Sequence, residues 1–254
     1  MSFTIEQLEF CILIFVRISA FIFTAPFFSH SNVPVRIKTA ITFFLTVMVV
    51  TAVGYSDIKY TGIIGMGILI LKEMILGIVI GFMANICTMI LAFAGQLIDQ
   101  EIGFSMVQEL NPTANFQTTI TGNLLTNTVM LIMLVSNLYL FILDAIVDTF
   151  TIVPVGEVII NPFMYNVMLK FMVDYFLIAF RIILPIFVCV LLTNVVLAIL
   201  AKVAPQMNMM VIGMQLKVFV GLAVLTLIAV MLPAMTEFIY SEMKTILKYA
   251  IKMF

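Results

Sequence analysis

Two stretches of this chain, 63–94 and 169–200, stay apolar for roughly 32 residues each, longer than the helices of ordinary globular domains. As straight helices they reach about 48 Å at 1.5 Å per residue. A bilayer's hydrocarbon core is about 30 Å thick. Strong tilt, or a bent helix packed inside an assembly, accommodates the excess. Four further apolar runs, 11–28, 40–53, 124–150 and 209–235, bring the expected set to about six, the second being short for a span of about 20 residues. Only 10% of the residues are charged, where a soluble domain carries about 25%. Even well-packed domains leave much of their surface in water. Most of these side chains must therefore face lipid or other protein. The expected fold is all-α: a hydrophobic, membrane-associated protein of about six long, partly kinked helices forming hairpins. No long hydrophilic or low-complexity tract divides the chain, which predicts one domain over 1–254.

The first ten residues carry Glu6 and Glu9 but no Lys or Arg, which argues for a retained helix rather than a signal peptide. A net charge of −1 leaves no basic excess for nucleic acid. Turns are expected at Pro26 to Pro34, at Gly54 to Asp57, at Pro154 to Gly156 with Asn161-Pro162, and at Ala204 to Asn208. The longest polar segment, 95–123, centres on Asn111-Pro112-Thr113. Six spans would put Lys59, Lys170, Lys244, Lys248 and Lys252 on one face and Arg36, Lys38 and Lys202 on the other, a weak bias for the positive-inside rule. Simple threading through a bilayer is not written in the charges.

Catalytic constellations are missing from the sequence. The one histidine, His30, lies in a proline-flanked turn between Ser29 and Ser31, and sequence neighbours rarely form a nucleophile–base pair. One histidine cannot supply HExxH, and Cys11, Cys87 and Cys189 sit in different apolar runs with no CxxC, as small apolar residues would. The glycines at 62, 65 and 67 lack a following Lys-Ser/Thr and read as helix packing. No cofactor is expected.

Charges inside apolar runs carry more information, since each is costly in lipid unless paired. Among them are Arg17, Glu73, Asp144, Asp148, Asp174 and Arg181. Asp144 and Asp148 share a helix face at four apart; Asp174 and Arg181 roughly share one at seven apart. Interlocks with neighbouring helices or subunits fit them better than a proton relay. Gly77 and Gly81 follow Glu73 in a small-xxx-small step that lets another backbone approach closely. Among 20 methionines, Met207, Met209, Met210 and Met214 crowd one segment, an adaptable surface suited either to sealing or to filling space against lipid.

The segment 103–116 mixes Phe104, Met106, Val107, Leu110 and Phe116 with Ser105, Gln108, Asn111 and Thr113. A solvent loop needs no such apolar set, and a span would not end in Asn111-Pro112. A loop folded into a narrow pore fits both facts, with Gly103 and Pro112 letting it swing aside; a loop packed outside the bundle is the alternative. Glu109 is costly in a dry constriction and is expected to face water or a basic partner.

Several segments in order resemble the FliR/SpaR/SctT family, the R subunits of flagellar and virulence type III export apparatus. They are Arg17 with Ala25-Pro26; Val33-Pro34 with Arg36 and Lys38; Glu73, Gly77 and Gly81; Ala94-Gly95-Gln96 with Gln100 and Gly103; Asn111-Pro112; Pro154-x-Gly156; and Leu184-Pro185. The most specific is Ala201-Lys202-Val203-Ala204-Pro205-Gln206-Met207-Asn208, followed by Gly213 and Leu216-Lys217. The sequence departs from the family in Lys202 for Arg, in Asn111 for Asp, and in Met106-Val107-Gln108-Glu109-Leu110 where phenylalanines are common. The resemblance implies a non-enzymatic export-gate subunit with a P-like part followed by a Q-like part. It would assemble with P and Q subunits into a closed channel for unfolded export substrates, beside the export-switch protein B and the large export protein A. The location implied is the bacterial inner membrane at the flagellar basal body, partly above the membrane plane. Residues 103–112 match a pore plug, and Lys202 and Lys217 join the polar contacts. Val211-Ile212-Gly213 looks more like the flagellar branch. The competing function is a proton-coupled transporter using Glu73, Asp144 and Asp148; an intramembrane hydrolase is argued against by the single histidine.

Overall fold

The computed structural model describes the chain except residues 1–4, 31–32, 59, 105–118, 160, 163, 207 and 252–253. The described residues form eight helices and no strand: α1 (Ile5–Thr24), α2 (Val35–Val53), α3 (Gly62–Ile102), α4 (Ile120–Val135), α5 (Leu140–Ile152), α6 (Met164–Val203), α7 (Met209–Ala229) and α8 (Leu232–Ile251). Five are long and apolar enough to cross a membrane, or six if α4 and α5 are one broken span.

Two of the six apolar runs are thus each two helices. The run 124–150 breaks where Asn137 takes a left-handed φ of 57°, a conformation asparagine tolerates better than most residues. The run 209–235 breaks at 230–231, just ahead of Pro233. Proline has no N–H to donate to the carbonyl four residues back, so the helix cannot continue through it. Helix α8 then extends to Ile251 on the amphipathic pattern of Thr236, Ile239, Met243, Leu247 and Ala250, all buried. The second run is long enough as a helix, at 19 residues. Helices α3 and α6, with 41 and 40 residues, reach about 60 Å each if straight.

The chain divides into two compact units, each built from separate segments: Met1–Cys87, Ser136–Phe171 and Tyr240–Phe254 in the first, Thr88–Val135 and Met172–Ile239 in the second. No single cut in the sequence separates them.

In the first unit, α1 buries Phe10, Leu13, Ile14, Arg17, Ile18, Phe21 and Ile22, one stripe at helical spacing. The facing stripe of α3 is Glu73, Leu76, Gly77, Ile80, Gly81 and Ala84, also buried. The helices meet backbone to backbone: a Cβ at Gly77 would collide with the carbonyl oxygen of Arg17 and lie 2.9 Å from Ala20 Cβ, and one at Gly81 would strike Thr24 Oγ1 and lie 2.8 Å from the Phe21 carbonyl oxygen. Helix α2 packs on α1 with an inverted pattern. Its buried stripe is Lys38, Thr42, Thr46 and Val49, while Phe43, Phe44, Val47 and Met48 are exposed. The threonine hydroxyls are satisfied within the helix, Thr42 Oγ1 donating to Lys38 O and Thr46 Oγ1 to Thr42 O. Such a helix suits apolar surroundings rather than water. The connection 54–61 is tied to α1 by Tyr60, whose hydroxyl donates to Glu9 at 2.7 Å; that bond favours the neutral phenol and raises its pKa.

In the second unit, α4 crosses α3 where Gly95 meets Gly122, so close that a Cβ on Gly122 would lie 2.9 Å from the Ala92 carbonyl oxygen. Phe93 packs edge-on against Phe176. Ile102 fills the place of a side chain at Gly221 of α7.

Gly81→Leu should therefore cost about 3 kcal/mol or more, the upper end for overpacking, because the obstacle is backbone. Gly67→Leu, with nothing within 4 Å of its Cβ position, should change stability by less than about 0.5 kcal/mol. The level at which each variant accumulates in membranes checks the contrast; equal levels would show that the α1–α3 contact is not tight.

Candidate functional site

Arg17 stands in the middle of the buried stripe of α1 and is wholly enclosed, as is Glu73 of α3. Each ion alone would cost several kcal/mol to desolvate. They meet: Arg17 Nε donates to Glu73 Oε2 at 2.5 Å. Glu73 Oε1 accepts the backbone N–H of Gly156 at 2.8 Å. Arg17 Nη1 donates to the Val153 carbonyl oxygen at 3.0 Å and reaches the carbonyl and hydroxyl oxygens of Thr149 at 3.3 and 3.4 Å. The guanidinium carbon lies 4.3 Å from the centroid of the Phe150 ring, a cation–π contact.

Local sequence explains the third corner. The Pro154-x-Gly156 turn closes with Glu157 N–H donating to the Pro154 carbonyl oxygen at 3.2 Å. Its Gly156 has φ of 85°, which glycine adopts freely and other residues do not. The turn presents the Gly156 N–H to Glu73. One ion pair thus joins α1, α3, α5 and the turn after α5. A carboxylate with both oxygens engaged in a dry pocket is arranged to hold helices together, not to pass protons onward.

A second polar joint lies in the other unit. Asp99 of α3 is buried, and its carboxylate accepts the Thr121 hydroxyl at 2.5 Å and the Thr121 N–H at 3.3 Å. Thr121 Oγ1 also reaches the Gly95 carbonyl oxygen at 2.6 Å. Asp99 thereby caps the first turn of α4, where unpaired N–H groups and the helix dipole favour an anion.

The other sequence-predicted residues fall elsewhere. Asp144 and Asp148 share the exposed face of α5, opposite Thr149 and Phe150. Asp174 is half-buried and Arg181 exposed on α6; among the described residues the Arg17–Glu73 pair is the one ion pair. Lys202 is exposed at the end of α6 and Lys217 half-buried on α7. Gly103 ends α3 with φ of 96°, its N–H donating to the Asp99 carbonyl oxygen at 3.0 Å, and Phe104 is half-buried. Met106, Val107, Leu110, Pro112 and Phe116 lie outside the described residues, as do Met207 and the side chains of Met209 and Met210. His30 is exposed, and Ser29 accepts a bond from Asn85 at 3.5 Å. The three cysteines are free, and no group of three His, Cys, Asp or Glu among the described residues could hold a metal ion.

Sequence reading missed Thr149, Phe150, Asp99, Thr121 and Gly122. For Thr149 the signal was present: residues 142, 145, 146, 149 and 150 carry the helical period of a buried face, and the acids stand off it. For Asp99 the only signal is a buried acid followed by Thr119 and Thr121 at the start of the next apolar run.

Buried polar residues that join helix to helix, among described residues that are all-helical and include five or six helices long and apolar enough to cross a membrane, mark a helical membrane protein. The chain belongs to the bacterial export proteins, family 1, whose model matches residues 8–244. It is 30% identical over 234 residues to the flagellar biosynthetic protein FliR of Bacillus subtilis, covering 89% of this chain and 88% of that one. It is 24% identical to the FliR of Escherichia coli over 91% of this chain and 88% of that one. The Yop proteins translocation protein T of Yersinia pestis is 33% identical over 154 residues, 59% of this chain and 58% of that one.

Replacing one partner of the buried pair should be far worse than replacing it conservatively. Glu73→Leu strands a buried guanidinium and should cost about 3–5 kcal/mol. Glu73→Gln keeps one acceptor oxygen, enough for Arg17 or for Gly156 but not for both, and should still be milder than Leu, and Arg17→Leu with Glu73→Leu should recover much of the loss. Protein level in membranes and thermal melting read all three. Equal loss of motility or secretion from Gln and Leu, at normal protein level, would point instead to proton transfer.

Proposed function

We propose that this chain is a non-enzymatic core subunit of a flagellar type III protein-export gate, part of a closed channel for unfolded substrates. The family match over residues 8–244 carries this reading. The flagellar relatives, matched over about nine-tenths of the chain, favour the flagellar branch over the virulence branch. Within it, the chain assembles with P and Q subunits, contacts the switch protein B and the large export protein A, and sits in the inner membrane at the basal body. The proton-coupled transporter is disfavoured, because Glu73 is locked by Arg17 and Gly156 while Asp144 and Asp148 lie on the outer face of α5.

The segment after Gly103 is the pore plug in this reading. Its two ends are held by one residue: Asp99 accepts the Gly103 N–H through its backbone carbonyl and caps Thr121 through its side chain. A plug needs such a fixed base if its tip is to move aside and return.

Two measurements test the proposal. Expressed alone, the chain should aggregate, and co-expressed P and Q subunits should bring it into one monodisperse complex; a well-behaved lone monomer would sink the reading. In the assembled complex, deleting Met106–Leu110 should raise membrane conductance to small ions. Asp99→Ala, which removes a cap worth about 1–2 kcal/mol, should give a smaller leak. Unchanged conductance in the deletion would show that this segment does not seal the pore.

A further inference from the structure

The hydroxyl oxygen of Thr121 lies 2.6 Å from the Gly95 carbonyl oxygen and 2.5 Å from Asp99 Oδ1. Contacts this short between oxygens need a proton in each. The hydroxyl has one proton to give, and a backbone carbonyl has none. If Asp99 is ionised it has none either, and one of the two contacts is left as acceptor facing acceptor. A hydroxyl that shares its proton sits further off, as at Thr24, 2.8 and 3.1 Å from two carbonyls of its own helix. A protonated Asp99 completes the chain. Its O–H donates to Thr121 Oγ1, Thr121 Oγ1 donates to the Gly95 carbonyl, and Asp99 Oδ2 still accepts the Thr121 N–H at 3.3 Å.

The surroundings offer no counter-charge. Asp99 is 1% exposed, and burial without a cation disfavours the charged form. Helix α4 has no charged residue. Helix α7, which meets α3 where Ile102 fills the space at Gly221, has only Lys217. Helix α6, which meets Phe93 through Phe176, has Lys170, Asp174, Arg181 and Lys202. On α3 itself Glu101 is two residues away and half-buried. None of them is ion-paired with Asp99 among the described residues. The start of α4 pulls the other way, toward an anion. The group is thus poised between two forms, and the geometry around Thr121 fits the neutral one.

We infer that Asp99 is a proton-binding site: in this arrangement it is a neutral carboxylic acid, and the proton it holds closes the joint between α3 and α4. Loss of that proton leaves Thr121 Oγ1 with one proton for two acceptors, so the contact to Gly95 or the contact to Asp99 must open. The opening falls at the Gly95–Gly122 crossing, where the two helices touch backbone to backbone. The proton favours the closed joint, so the joint is tight at lower pH and loosens as the pH rises through the titration of Asp99. The inference goes beyond the export-gate reading and needs only the contacts inside this unit.

Infrared spectra of the full-length protein, carrying isotope-labelled aspartate and purified with the subunits that accompany it, test this. At neutral pH the wild type should show the label-shifted carbonyl stretch of a protonated carboxylic acid, which Asp99→Asn lacks. Raising the pH should convert that band to a carboxylate band. Thr121→Val should move it to higher frequency, because the carboxyl group loses its partner, and this assigns the band even where Asp99→Asn accumulates poorly. Hydrogen exchange at the first turn of α4 gives the structural readout. Corrected for the intrinsic pH dependence of exchange, its protection should fall about fivefold as Asp99 loses its proton, the worth of one net hydrogen bond. In Asp99→Asn the amide donates to Thr121 Oγ1 and accepts the Thr121 N–H as the acid does, so protection should not change with pH. A neutral-pH spectrum with no acid band that either variant removes or moves would overturn the inference. So would wild-type protection that does not respond to pH.

Discussion

The Arg17–Glu73 pair is the constraint around which the first unit is arranged. An arginine enclosed in apolar side chains is tolerable only if its charge is met and most of its donors are used. That requires a carboxylate on one neighbour, carbonyl oxygens on another and a close fit between them. Glu73 supplies the first, Thr149 and Val153 the second. The fit comes from Gly77 and Gly81, four and eight residues after Glu73 on the same face of α3, which bring that helix against the backbone of Arg17 and Phe21 and the methyl group of Ala20. Surrounded by lipid or apolar partners, helices gain little from hydrophobic burial against each other, so close packing and polar bonds carry the association.

The second unit uses the same ingredients differently. Its buried acid, Asp99, has no cationic partner among the described residues; its carboxyl group is met by the start of α4 and the Thr121 hydroxyl. Again a glycine contact lies beside the acid: Gly95, one turn before Asp99, touches Gly122, the residue after Thr121. A carboxylate bonded across a glycine crossing fixes the rotation of one helix about another, which apolar contacts alone leave loose.

The sequence made the helical class and the placement of most helices legible, because the apolar runs are long and the turn formers between them strong. It hid the breaks at Asn137 and Pro233, since a single polar residue or proline in an apolar run leaves the run's composition almost unchanged. The site was half legible. Arg17, Glu73, Gly77, Gly81 and Gly156 stood out one by one, as costly charges, as small residues or as a turn. Their convergence did not, because 56 residues separate Arg17 from Glu73 and 83 separate Glu73 from Gly156. Thr149 was overshadowed by the acids beside it, which face outward. Nothing in a sequence says which of two polar residues on one helix points inward unless the whole face is read for its period.

The outward surface bears on how the chain works. Ile63 and Ile64 are 92% and 80% exposed, and α2 turns Phe43 and Phe44 outward while keeping Lys38 and two threonines inside. Helices of about 60 Å exceed the hydrocarbon core by about twofold, so lipid alone cannot cover α3 and α6 if they run straight across. The remaining apolar surface needs protein, as membership of an export-complex family implies. A subunit that meets both lipid and partners must keep its own shape while they assemble around it. The buried ion pair and the two glycine crossings provide that rigidity inside each unit. Where α3 ends and α4 begins, one residue serves both: the Asp99 carbonyl accepts the Gly103 N–H and the Asp99 carboxyl group accepts the Thr121 N–H. That pair of bonds fixes the end of α3 against the start of α4, and the plug proposed for the segment between them rests on it.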